Sequence, residues 1–239
     1  MVPSGLFSDG WNGSGAVLLF RYSRYGQALI LIGPLTESDT RRTLDYTLRV
    51  RIDDCVALLR SRGIALGPGL SPSELKDVES HFGFRFSPDH RDLLAAALPI
   101  DSGWYDWRST SAASLRADVD ILTGGILSEV EDGDFWPDSW GPRPSSISDA
   151  MKFASEQTSK WPKLVPLFRN RCMPAAPAER GAPVFSVYGS DVIVYGYDLL
   201  HYLRKEFGPK DSASNATFFD AESCPPWSQF AVGDDPGRF

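Results

Sequence analysis

Apolar residues recur at helical and strand spacings along most of the chain, and the clearest run is 69–99, GLSPSELKDVESHFGFRFSPDHRDLLAAALP. Ser71 stands where a helix N-cap is expected, Pro72 suits the first helical position, and Glu74 follows three residues after the cap. Together they predict a capping box, in which a hydroxyl and a carboxylate satisfy N–H groups that the first turn leaves unpaired. Leu75, Val78 and Phe82 lie three and four apart and share one face. Gly83 can take the left-handed conformation that ends a helix. Phe84 and Phe86 alternate around Arg85, the pattern of a half-buried strand. Ser87-Pro88 repeats the start signal, Leu93, Leu94 and Leu98 carry the next stripe, and Pro99 closes it. Upstream, Ile52, Val56 and Leu59 predict a helix over 50–63 with Gly63 as its stop, and Gly67-Pro68-Gly69 reads as a turn.

The pattern is less regular elsewhere. Residues 1–45 are rich in glycine and aromatics, and two strands joined around Tyr25-Gly26 are expected there. Gly10, Gly13 and Gly15 have neither the spacing nor the preceding strand of a dinucleotide fingerprint. Between 99 and 150 the sequence predicts a helix near 112–118 and a strand over Gly125–Glu131. Ile147, Ala150, Met151 and Ala154 predict a helix over 146–160. Leu164–Phe168 is a strand, and Arg169–Gly181 is a loop of Pro and Ala. Val184–Tyr188 and Asp191–Tyr195 form a hairpin across Gly189-Ser190, a loop with glycine first that suits a type II′ turn. Leu199, Leu203 and Phe207 predict a helix over 197–207. The segment 209–239 is polar and proline-rich, with its last residues expected to be disordered and Phe218, Phe219, Trp227 and Phe230 as possible docking points. Three regions result: an N-terminal extension (1–45), a central domain (46–208) and a tail (209–239).

Composition narrows the function. The 239 residues carry a net charge of −7, which argues against general affinity for nucleic acid or anionic membrane and permits a basic partner. Cys55, Cys172 and Cys224 are widely spaced and odd in number. They give neither a disulfide framework nor a zinc pattern, so a reducing cytoplasm is expected. The apolar runs of the first thirty residues are broken by Arg21, Arg24 and Gln27, too short for a membrane span. Oligomeric state is not readable.

Candidate chemistry is sparse. Asp198 and His201, one turn apart, are the best metal pair, and zinc wants three or four ligands. No nucleophile elbow or cysteine-protease signature occurs. No residue pattern asks for a cofactor. Glu129, Glu131, Asp132 and Asp134 beside Trp136 and Trp140 would suit a carboxylate hydrolase if two of them faced each other across a sugar site. The same residues suit protein binding. Between Arg116 and Asp149 eight acidic residues, Asp118 and Asp120 among them, face only Arg116 and Arg143, so this stretch holds −6 of the chain's −7. Charge of one sign steers a complementary partner, and neighbouring aromatics supply contact area.

Four motifs carry a resemblance. The first is the acidic helix and Phe82-Gly83-Phe84 turn of the opening stretch. The second is Trp104, Asp106, Trp107 and Arg108. The third is Gly125, Ile126, Leu127, Val130, Glu131, Phe135, Trp136, Trp140, Gly141, Arg143 and Pro144. The fourth is PVFSVYGSDVIVYGYDLLHYL at 183–203. Over roughly 50–208 the chain resembles the SUKH superfamily, the Smi/Knr family of cell-wall regulators and bacterial immunity proteins, in an actinobacterial-looking branch. The family's Pro-Phe-Trp element is Pro225-Pro226-Trp227 here. The resemblance implies an α+β fold with a single, mainly antiparallel sheet and helices packed on one side. It also implies a non-catalytic, cytoplasmic module that blocks a basic protein such as a nuclease toxin. The alternatives are a standalone regulatory scaffold and, behind it, the hydrolase. The protein-binding residues expected on this reading are Trp104, Asp106, Trp107, Glu129, Glu131, Asp132, Asp134, Trp136, Trp140 and Arg143.

Overall fold

The computed structural model describes residues 52–109, 112–209 and 224–232, and the backbone of two short strands near the N-terminus. The chain divides into two units, Met1–Val50 and Arg51–Phe239. In the first, β1 (Arg21–Tyr22) pairs antiparallel with β2 (Ala28–Leu29), Arg21 opposite Leu29, as expected of strands flanking Tyr25-Gly26. The rest of that unit, Phe218, Phe219 and the final residues lie outside the described residues.

The second unit is α+β. It opens with α1 (52–61), whose Ile52, Cys55, Val56 and Leu59 are buried. Next come β3 (Leu66–Pro68), α2 (Pro72–Phe82), α3 (Pro88–Ala96) and β4 (Ala97–Pro99). The capping box forms as predicted: Ser71 Oγ accepts from Glu74 N, and Glu74 Oε2 accepts from Ser71 N at 2.7 Å. Gly83 ends α2 at φ 66°, ψ 35°. Three expectations fail nearby. Gly67 and Pro68 are not a turn, since β3 pairs antiparallel with β4, Gly67 opposite Leu98. Leu98 therefore lies on β4 rather than on α3. Phe84 and Phe86 are buried around an exposed Arg85, yet they lie in extended coil, where Arg85 O accepts one bond from Ala176 N.

The largest departure is α4 (Ala112–Asp132), one helix of 21 residues where a short helix and a strand were expected. Ile126 and Val130 are both fully buried and four apart, a helical repeat that outweighs the strand-like composition of GGILSEV. A 3-10 turn (Asp138–Trp140) leads to α5 (Ile147–Thr158), where Ala150 and Ala154 face the core and Ile147 is 56% exposed, against its predicted place on that face.

β5 (Leu164–Phe168), β6 (Arg171–Pro174), β7 (Val184–Tyr188) and β8 (Asp191–Gly196) form a four-stranded sheet, each strand antiparallel to the next. β6 lies where a loop was expected. Gly189 has φ 57° while Ser190 has no positive φ, as the type II′ turn requires. α6 (Leu199–Phe207) and α7 (Trp227–Val232) complete the unit.

The sheet is therefore not single, and its helices are not confined to one side. Adjacent residues Cys172 and Met173 of β6 enter different cores. Met173 packs with α1 and α6, while Cys172 packs with α4, α5 and α7. All five residues of β5 are buried, as a strand covered on both faces must be. A third core joins Leu75, Phe82, Phe84 and Phe86 to Leu94, Leu98 and Trp107. Among the described residues no helix is long and apolar enough to cross a membrane.

Candidate functional site

The residues singled out as a docking surface fall into different parts of the fold. Trp104 makes an isolated bridge to Phe168 and stacks on Phe207 with ring centres 5.6 Å apart. Trp107 is 5% exposed, and its ring meets Phe82, Phe84 and Phe86 edge-on at 5.3–6.1 Å, which removes it from any surface. Asp106 accepts from the backbone N–H groups of Arg108 and Ser109, a local turn of the kind aspartate builds. Arg108 spans to the start of α2. It bonds Glu74 Oε1 at 2.6 Å and the carbonyls of Pro68 and Gly69 at 3.0 and 2.9 Å. The first tryptophan motif is thus a clasp that joins β3, α2 and the 104–109 loop. The guanidinium and the capping bonds hold the Glu74 carboxyl down at about 2.

The second motif surrounds the C-terminal end of α4. Trp136 donates its indole N–H to Gly141 O at 2.7 Å and meets Trp140 edge-on at 5.1 Å. Trp140 in turn touches Phe135, Phe153 and Trp161, and Trp161 meets Trp227 at 5.2 Å. These half-buried rings close one end of the core that holds α4, α5 and α7. Trp227, whose docking the altered Pro225-Pro226 element had left open, is 1% exposed and donates to Pro162 O at 2.7 Å. Arg143 is exposed, yet it is tied to the helix: it donates to Val130 O at 2.6 Å, satisfying a carbonyl of the last helical turn, and stands 6.0 Å from the Trp136 ring.

The carboxylates divide. Glu129 is half-buried, and both its oxygens accept from Ser190 N, at 3.1 and 3.0 Å, so it caps the β7–β8 turn. Glycine at 125 and at 189 allows this approach. A Cβ on Gly125 would stand 3.0 Å from Gly189 Cα, and one on Gly189 would collide with the Glu129 carboxylate. Glu131, Asp132, Asp134 and Asp138 are exposed. The side chains of Asp118 and Asp120 lie outside those described. The acidic stretch thus presents four open carboxylates where α4 ends, at the negative pole of its peptide dipoles. Arg143 is the cation that touches this end through Val130 O.

The metal pair is spent on local capping. Asp198 is the N-cap of α6 and accepts from His201 N at 2.8 Å, and His201 Nδ1 accepts from Tyr197 N. Among the described residues no group of three or more His, Cys, Asp or Glu is placed to hold a metal ion. Two features were missed in the sequence. Arg108 was visible in its motif but was not given a role. Tyr188, read only as a strand residue, is 81% exposed beside the turn that Glu129 caps. Comparison with protein-family models, with curated proteins and with solved structures finds no match to this chain.

Proposed function

We propose that the protein is a non-catalytic binding module of Smi/Knr type that docks a basic protein, such as a nuclease toxin, against the end of α4. The resemblance of the sequence motifs to that family is one support. The observation that carries the reading is the division of labour around α4. The neighbouring aromatics are half-buried and the exposed Arg143 is tied to Val130 O, while Glu131, Asp132, Asp134 and Asp138 stand open. Carboxylates with no structural task are free to serve a partner, and a cluster at a helix C-terminus concentrates negative potential. A nuclease surface is cationic because it grips phosphate, so this end of the molecule could cover it.

The interface is charge-led on this reading, with less aromatic area than the sequence promised. The test is charge reversal at three exposed positions, Glu131→Lys, Asp132→Lys and Asp134→Lys. Against the partner that co-purifies with the native protein, association should slow by about tenfold or more at low salt. The melting midpoint should be nearly unchanged, because the three side chains are exposed. An unaltered association rate would exclude this face.

A further inference from the structure

The β7–β8 turn displays a ring that the fold does not use. Tyr188 is 81% exposed, and among the described residues its ring and hydroxyl have no partner. The other described tyrosines of this unit are engaged. Tyr105 donates to Arg169 O, and Tyr195, Tyr197 and Tyr202 each meet another ring. Register fixes the neighbours of Tyr188. It stands opposite Asp191, and Ser186 stands opposite Ile193, so Tyr188 and Ile193 are diagonal neighbours on one face of the sheet. Ile193 is 46% exposed. Val187 enters the core shared with α4, and alternation sends Tyr188 out of the opposite face.

That face already holds cations against a tyrosine within the molecule. Arg171 donates to Ser186 Oγ at 2.9 Å, and its guanidinium carbon stands 3.9 Å from the centre of the Tyr195 ring. Lys205 Nζ stands 4.1 Å from the same ring. A tyrosine face attracts cations through its ring quadrupole, and Tyr188 offers such a face to solvent. The tip that carries it is held in place beside negative charge. Both Glu129 oxygens accept from Ser190 N, and a Cβ on Gly125 would stand 3.0 Å from Gly189 Cα, so the turn sits against α4. Asp132 is exposed and lies three residues beyond Glu129, on the flank of the helix that meets the turn. An aromatic on a tethered turn gives up little freedom when a partner covers it.

We propose that a basic protein straddles the β7–β8 tip, drawn in by the exposed carboxylates at the end of α4 and anchored by the Tyr188 ring, which receives one of its lysine or arginine side chains. Ile193 takes the methylene stem of that side chain, which is apolar up to its charged head. This inference rests on the charge-led docking proposed above and adds a short-range anchor to it. The carboxylates set the rate of encounter, and Tyr188 sets how long the complex lasts.

The test is an oligolysine peptide titrated at low salt into the full chain, labelled at its tyrosine rings and followed by nuclear magnetic resonance. The Tyr188 ring signals should shift saturably. Tyr188→Leu, which keeps apolar bulk, should weaken binding about two- to fivefold, the weight of one exposed cation–ring contact. Tyr188→Phe, which keeps the ring, should bind as the native chain does. Ring signals that stay still while the peptide binds, or a Tyr188→Leu affinity equal to that of the native chain, overturn the anchor. The triple charge reversal Glu131→Lys, Asp132→Lys and Asp134→Lys separates the two readings. If it weakens binding and Tyr188→Leu does not, the anchor fails and charge-led docking stands. If Tyr188→Leu weakens binding and the charge reversal does not, the anchor stands and charge-led docking fails. A peptide that does not bind at all sinks both.

Discussion

His90 is a residue whose chemistry departs far from its ordinary behaviour. It is 1% exposed, neither ring nitrogen has a partner, and its ring sits edge-on to Phe86 at 4.9 Å. Burial pushes its proton affinity down to about 3 from the ordinary 6.5. The folded protein therefore keeps the imidazole neutral while the unfolded chain takes up a proton below about 6.5. This contribution to stability is fully present above that pH and is lost as pH falls toward 3, at up to about 1.4 kcal/mol per pH unit. Unfolding measured between pH 4 and 7 should show this slope, and His90→Leu should remove about one proton's worth of it. Glu74 adds a second, lower limb. Its depressed carboxyl supports the fold above about 4.5 and ceases to do so as pH drops toward 2. Arg108→Ala should lower the melting midpoint at neutral pH, and the gap to wild type should close through that window. Ser71→Ala, which removes the α2 cap, should cost about 1 kcal/mol in denaturant unfolding.

At the scale of elements, legibility followed how local the deciding interaction is. The start and stop of α2 were readable because Ser71, Pro72, Glu74 and Gly83 act within their own turns. The β7–β8 turn was readable for the same reason. α4 was misread because its segment GGILSEV has a strand-like composition. Its second glycine is instead explained by a neighbour distant in sequence, since Gly125 makes room for the turn at Gly189. β3, β4 and β6 are three or four residues long and contain Pro68, Pro99 and Pro174, so neither length nor composition announces them. Gly189→Ala should destabilise the hairpin by at least about 1 kcal/mol, from its positive φ and from the collision with Glu129. A melting midpoint equal to wild type would show that α4 does not hold this turn. Trp227→Ala should cost about 3–5 kcal/mol, because α7 then leaves a hole in the core shared with α4 and α5.

At the scale of the whole molecule, the tryptophan motifs are now accounted for by internal tasks, as are Asp106 and Glu129, while Glu131, Asp132, Asp134 and Asp138 are exposed. Sequence alone could not separate the two, since a tryptophan beside an aspartate reads equally as a core anchor or as a contact residue. Burial decides it: Trp107 is inside, Trp136 and Trp140 are half inside, and Glu131, Asp132 and Asp134 are out. What remains for a partner is a field of like charge at one helix end. Such fields act over about 8–10 Å at ordinary ionic strength and weaken steeply as salt rises. For the proposed docking function, the most direct measurement is therefore the association rate with a basic protein that co-purifies with this chain as salt is raised from about 0.05 M to 0.5 M. The account predicts a steep fall in that rate, carried by encounter rather than by dissociation. A rate that stays flat across the range would contradict it.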